Sequence, residues 1–307
     1  MSNIVIMMTL LVIVLVGFAA GKLGYMGGDF DKRLSNIVID ITCPALILSS
    51  TMGGTLPERQ FILPLLSISL LTYILLTIIA LALPRFLTHN KDEEGIVGFA
   101  LMFGNVGFIG YPVVASIFGH QAVFYAAVLN VVNTFAVFTV GTMLLQGNEV
   151  NKSAAFRPKV LYSSPMMAAY LAMLIVAFGI DGIPAVISQP LTLIGNITVP
   201  AALLIIGSSM SQLSLKTMLG SRTVYATAVF RLAVIPLGLF LLFSVMGFSP
   251  LVVNINTVVI AMPVATYGTI LCLKLGRDTT LITETTFITT ILSVVTIPLI
   301  ALMFSNL

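Results

Sequence analysis

The chain has no tryptophan, two cysteines and two histidines, and only 8% of its 307 residues are charged. A water-soluble domain carries roughly 25% charged residues, so this scarcity excludes a soluble fold. Cys43 and Cys272 lie inside apolar runs with no metal-ligand spacing, which argues against a zinc site or a disulfide framework and reads both as small buried side chains. Both histidines, His89 and His120, fall in loops, and Asp40 is the only aspartate well inside an apolar run. The aspartate pair or Ser–His pair of an intramembrane enzyme is therefore missing, and nothing points to a cofactor or a metal. The net charge is a modest +3, with basic residues scattered through short loops and no interleaved aromatics, so a nucleic-acid partner has no support. No Lys or Arg precedes the first apolar run, which argues for a first helix that stays rather than a cleaved signal peptide. Tyrosine is left as the interfacial aromatic.

Apolar residues are abundant, at 58% of the chain with a mean hydropathy of +1.12. A spanning helix needs about 20 apolar residues. Runs of that kind fall near 3–21, 34–52, 61–83, 96–118, 121–145, 163–180, 186–210, 222–246, 250–273 and 280–304. The expectation is an all-α integral membrane protein of about ten transmembrane helices. Basic residues should collect in alternate loops if that count is right. Lys22, Lys32, Arg33, Arg85, Lys91, Lys152, Arg157, Lys159, Lys216, Arg222, Lys274 and Arg277 all do so, while Arg59 stands alone on the other side. Both termini are thus expected outside, in the cytoplasmic membrane of the cell.

The sequence repeats itself weakly. Ile41-Thr42-Cys43-Pro44-Ala45 matches Ile197-Thr198-Val199-Pro200-Ala201, Phe118-Gly119 matches Leu275-Gly276, and Asn105 and Pro112 recur at the separation of Asn256 and Pro263. The halves are 1–150 and 151–307. Each would hold five spans, and because five is odd, the second copy would be inverted in the membrane.

The run Gly104-Asn105-Val106-Gly107-Phe108-Ile109-Gly110-Tyr111-Pro112 cannot form a comfortable continuous helix, since glycines remove packing and proline removes a donor. A kinked packing helix is the plain alternative. With a second interruption expected between Asn256 and Pro263, paired broken helices point to a transport site, where freed N–H groups attract an anion and freed carbonyls a cation. Asn105 and Asn256 either contact that ligand or satisfy the broken backbone.

These residues resemble the auxin efflux carrier family, in particular its bacterial organic-acid or malate permeases. The resemblance rests on residues 104–112, on Ala261-Met262-Pro263-Val264-Ala265-Thr266-Tyr267, and on the Asp40 to Pro44 stretch, and it extends over nearly the whole chain. It implies two inverted five-helix repeats with broken crossover helices four and nine. Spans one, two, six and seven would form a scaffold and the rest a transport core. The long cytoplasmic loop of the plant carriers is absent, so auxin is a poor substrate guess. A small mono- or dicarboxylate is the expected partner, with Asn105, Gly107, Gly110, Pro112, Asn256 and Pro263 around it.

Charged residues inside spans are costly and so are candidates for function. Arg231 would either bind a substrate carboxylate or pair with Glu284, and carrying a coupling proton is the alternative role for Glu284. Asp40 is open to either a snorkelling role or proton transfer. Asn130, Asn133 and Thr134 share a helix face, with Asn130 and Thr134 as candidate ligands or coupling support and Asn133 as interhelical glue. Thr283, Thr286 and Thr290 read as packing residues. A sodium-coupled symporter of related fold, a homodimer, and a receptor or structural protein that moves nothing stay open as alternatives.

Overall fold

Prolines shape this bundle before any packing is considered. A proline inside a helix cannot donate to the carbonyl four residues back, and its ring crowds that carbonyl. In the computed structural model, which describes residues 3–52, 56–146, 162–211 and 220–304, three π-turns end two residues before a proline. They are Val38–Thr42 before Pro44, Val106–Gly110 before Pro112, and Phe230–Val234 before Pro236. Each widens the helix by one residue per turn and lets the ladder continue past the missing donor.

In chain order the helices are α1 (Asn3–Lys22), α2 (28–49), α3 (Arg59–Ala82), α4 (Lys91–Met102), α5 (Val106–Phe118), α6 (Ala122–Gln146), α7 (Ser164–Phe178), α8 (Ala185–Ser211), α9 (Arg222–Val245), α10 (Pro250–Ile260), α11 (Tyr267–Lys274) and α12 (Thr280–Met303). Five of them, α3, α6, α8, α9 and α12, are long and apolar enough to cross a membrane. The described residues contain no strand, only one isolated bridge between Gly104 and Val264. Each apolar run of the sequence lies on helix. The runs near 96–118 and 250–273 are each split in two, as α4 and α5 and as α10 and α11.

Two packing units surround those splits. In the first, α1 lies along α8 and α7 along α2, with α2 also against α8. Glycines set the approach of α1 to α8: a methyl on Gly17 would stand 2.3 Å from the Leu204 carbonyl oxygen, and one on Gly207 1.9 Å from that of Val14. Backbones this close leave no room for a side chain. Thr42 and Thr198, which occupy matching places in the repeated pentapeptide, hydrogen-bond to each other at 2.9 Å between α2 and α8.

In the second unit α3 packs on α6 and α4, and α9 packs on α12 and α10, with α4 and α10 enclosed among them. Its interior is aromatic and aliphatic: Phe99, Phe103, Phe124 and Phe243 are fully buried, and the Phe99 and Phe103 rings meet with centroids 4.9 Å apart. Large apolar side chains such as Leu63, Leu81, Val186 and Leu193 point outward. In water that surface would aggregate, whereas lipid tails accommodate it at no cost. The chain is a multi-pass membrane protein.

Candidate functional site

The two helix interruptions meet at the centre of the second unit. Phe103, Gly104 and Asn105 separate α4 from α5, and residues 261–266 separate α10 from α11. The two stretches run antiparallel. The Asn105 N–H donates to the Pro263 carbonyl at 2.8 Å and the Ala265 N–H donates to the Phe103 carbonyl at 3.0 Å. A third donor, the Val264 N–H, reaches Thr289 Oγ1 of α12 at 3.1 Å. Non-helical backbone at this depth survives because it is paired in this way.

Four helix ends converge here, two of each polarity. The C-terminal ends of α4 and α10 present carbonyls and partial negative charge. Arg231 meets both. It enters from the π-turn of α9, is 1% exposed, and donates from Nε to the Met262 carbonyl at 3.1 Å and from Nη1 to the Leu101 carbonyl at 3.0 Å. Its Nη2 lies over Gly104, where an added methyl would be 2.1 Å away. Only glycine at 104 lets the guanidinium into this position.

The N-terminal end of α5 is different. The Ile109 and Gly110 N–H groups donate to the Asn105 carbonyl at 3.1 Å, while those of Gly107 and Phe108 have no acceptor among the described residues. The half-buried side-chain amide of Asn105 likewise has no hydrogen-bond partner among them. A methyl on Gly107 would meet nothing within 4 Å, so this end of the helix faces open space. Free N–H groups, a positive dipole end and an amide donor together suit an anion.

The remaining sequence candidates take several roles. Gly110 is buried against Val106 and Met262, and Pro112 is buried in the first turn of the α-helical part of α5. Pro263 contributes its carbonyl to the pairing of the breaks. Asn256 is 2% exposed within α10 and donates to Thr72 Oγ1 of α3 at 3.1 Å, so its side chain serves the packing of α10 on α3. Its match to Asn105 does not survive as a structural equivalence, because Asn105 lies in a break and Asn256 in a helix. Asn130 is bound at both ends: its Nδ2 donates to the Tyr111 hydroxyl at 2.9 Å and its Oδ1 accepts from Asn133 Nδ2 at 2.7 Å. Asn133 Oδ1 in turn accepts from the Tyr73 hydroxyl at 2.7 Å, and Thr134 donates to the Asn130 carbonyl at 2.8 Å. This polar chain ties α3, α6 and α5 together. The proposed pairing of Arg231 with Glu284 is corrected. Glu284 is half-buried and forms no ion pair with Arg231, whose donors go to helix-end carbonyls instead. Asp40 is exposed on the π-turn of α2.

Thr289, Tyr73 and Tyr111 are the contributors that sequence reasoning passed over. Thr285 and Thr289, four apart on one face of α12, carried a usable signal.

The two units touch where α7 and α2 meet α6 and along a largely apolar seam of α1 and α8 against α5 and α12; the seam contains a cavity of about 50 Å³ lined in part by Val14, Ile109, Val113 and Ile206. Polar contacts across the units include the Cys43 thiol donating to the Gly107 carbonyl at 3.7 Å, and Ser49 Oγ with His120 Nε2 at 2.9 Å. Burial pushes the His120 pKa below the usual histidine value, with the Ser49 contact acting the other way. A polar cavity of about 850 Å³ opens at the N-terminal end of α4, lined by Lys91, Asp92, Glu93, Glu94 and Arg277, away from the breaks.

Known proteins bear on this arrangement. An uncharacterised transporter of Methanocaldococcus jannaschii is 28% identical over 299 residues, covering 96% of each chain. Another, from Methanothermobacter thermautotrophicus, is 28% identical over 302 residues, covering 95% of each. The sequence profile of the membrane transport protein family matches residues 3–159 and 155–301. The chain is a membrane transporter rather than an enzyme, and it belongs to that family, the auxin efflux carrier family its glycine-rich break resembles.

Proposed function

We propose that this protein is a secondary transporter for a small organic anion, a mono- or dicarboxylate, that moves its substrate by alternating access at the crossing of the two broken helices. The observation that carries this reading is the inequality of the helix ends. The carbonyl ends of α4 and α10 are already occupied by Arg231, whereas the N–H end of α5 is open. A carboxylate losing its hydration needs such donors in compensation. Gly107 and Phe108 N–H with the Asn105 amide would hold its oxygens, and the absent side chain at 107 gives it room.

The proposed architecture is ten spans in two inverted halves, 1–150 and 151–307, with both termini outside, an orientation that a reporter fused after Leu307 reads directly. Support comes from partners that recur across the halves: α1 with α8 and α7 with α2, Thr42 with Thr198, and the left-handed Gly119 and Gly276 that close α5 and follow α11. The scaffold is then α1, α2, α7 and α8, and the core is α3 to α6 with α9 to α12. Exposed Asp40 and half-buried Glu284 are the groups through which a proton could be coupled.

Uptake by proteoliposomes against a panel of mono- and dicarboxylates, with sodium and proton gradients imposed separately, tests the reading. Accumulation of a carboxylate is expected. Binding without accumulation would turn the protein into a receptor, and flux of neutral or cationic solutes alone would reject the anion site.

A further inference from the structure

Where two helix C-termini point at one place in a membrane, their carbonyls make a site for a cation. At this crossing the place is filled by the protein itself. The Arg231 guanidinium donates to the last-turn carbonyl of Leu101 in α4 and to Met262, just past α10, from a helix that belongs to neither. Its π-turn, set by Pro236, and the missing side chain at Gly104 both make room for it. No acidic side chain pairs with it among the described residues, so its charge is balanced by the two helix ends.

We infer that Arg231 is a tethered counter-cation: it permanently occupies the position an exchangeable monovalent cation would take between the ends of α4 and α10, and so removes that position from ion coupling. The inference goes beyond the anion reading and does not depend on it. It makes Arg231 a positioning residue that also sets ion specificity. Two consequences differ from those of a merely space-filling residue. Removing the side chain vacates a cation site, and refilling that site needs charge, not volume.

The chain has no tryptophan, but Cys43 and Cys272 are buried free thiols, so a thiol-reactive fluorogenic dye reports unfolding of the purified full-length protein. The wild type is expected to melt at the same temperature in sodium, potassium and choline chloride of equal ionic strength, and to ignore millimolar guanidinium chloride. Arg231→Ala is expected to melt lower and to recover at least half of the loss in millimolar guanidinium, with a smaller recovery in sodium. Arg231→Met, which keeps bulk without charge, is expected to lose as much and recover nothing. Arg231→Lys, which keeps charge with fewer donors, is expected to lie between the wild type and Arg231→Met. An Arg231→Ala variant that folds but ignores every cation overturns the inference. So does Arg231→Met equal to or above Arg231→Lys, the comparison that decides if the alanine variant does not fold. Sodium-dependent melting of the wild type would also overturn it in the form that excludes a cation here. None of these readouts involves transport, so their failure is separate from failure of the anion reading.

Discussion

Two glycines three residues apart should respond in opposite ways to the same small change. A methyl at Gly104 would lie 2.1 Å from Arg231 Nη2, 3.1 Å from the Met262 carbonyl oxygen and 3.2 Å from Met262 Cβ. The guanidinium is the end of a flexible side chain, yet here it is 1% exposed and held by carbonyls at 3.0 and 3.1 Å. Moving Nη2 out to an ordinary contact takes it more than an ångström, which lengthens both bonds past hydrogen-bonding distance. Each is a bond from a charged donor, worth about 1.5–3 kcal/mol, so Gly104→Ala should destabilise by about 3–6 kcal/mol. Native domains have about 5–15 kcal/mol in hand, so the variant should be recovered in low yield with a much lower melting temperature. Gly107→Ala is the counterpart. Its methyl meets nothing within 4 Å, and its position on a helix favours alanine over glycine by up to about 1 kcal/mol. It should fold at least as well as the wild type but weaken carboxylate affinity, because the methyl takes up part of the open space beside Gly107 in which the substrate is proposed to sit. Thiol-dye melting and uptake by proteoliposomes read the two effects separately. Equal melting temperatures for Gly104→Ala and the wild type would refute the packing argument, and unchanged substrate affinity in Gly107→Ala would refute the position of the site.

The two asparagines should also separate. Asn105→Ala removes a donor with no partner among the described residues, so affinity should fall about tenfold, as for loss of one hydrogen bond of about 1.4 kcal/mol, with stability nearly unchanged. Asn256→Ala instead breaks a buried bond to Thr72 and should lower melting by about 1–3 kcal/mol equivalent while leaving affinity intact; the reverse pattern in uptake and melting would overturn both assignments. His120, whose pKa burial lowers, binds its proton less readily folded than unfolded. Its stability contribution is therefore complete above the ordinary histidine pKa near 6.5 and declines as pH falls from there toward the lowered folded value. His120→Gln should flatten that dependence of melting temperature on pH, and an unchanged slope would count against it.

The helices and their interruptions were legible in the sequence because apolar runs, glycines and prolines act locally. Gly104 to Pro112 announced a break, and one is there. The register of the internal match was less legible. Ile41 and Ile197 are 156 residues apart and Gly119 and Gly276 are 157 apart, whereas Asn105 and Asn256 are 151 apart. That discrepancy is well over a helical turn, enough to carry Asn256 out of the break and into α10. Arg231 was recognisable as a buried charge, but a search among side chains offers only Glu284 as its partner. Backbone carbonyls at helix ends leave no trace in composition, and their convergence depends on two breaks 160 residues apart, at Gly104 and Val264, meeting in space. Span five misled for a related reason. A polar face that looks ready for ligands is already consumed by Tyr73 and Tyr111, which come from other helices.

The glycine contacts between α1 and α8 also bear on how the protein is made. Gly17 and Gly207 are separated by 190 residues, and at about 5–20 residues per second roughly 10–40 s pass between their synthesis. For that interval the first helix is in the bilayer without the partner its backbone is shaped to meet, and the groove left by Gly17 is open to lipid or to another newly made chain. α2 waits likewise for α7 and α8. This closely fitted part of the protein is thus assembled late, from its earliest and some of its later pieces. Substitutions at Gly17 or Gly207 are then expected to show first as failed assembly and degradation of the nascent chain.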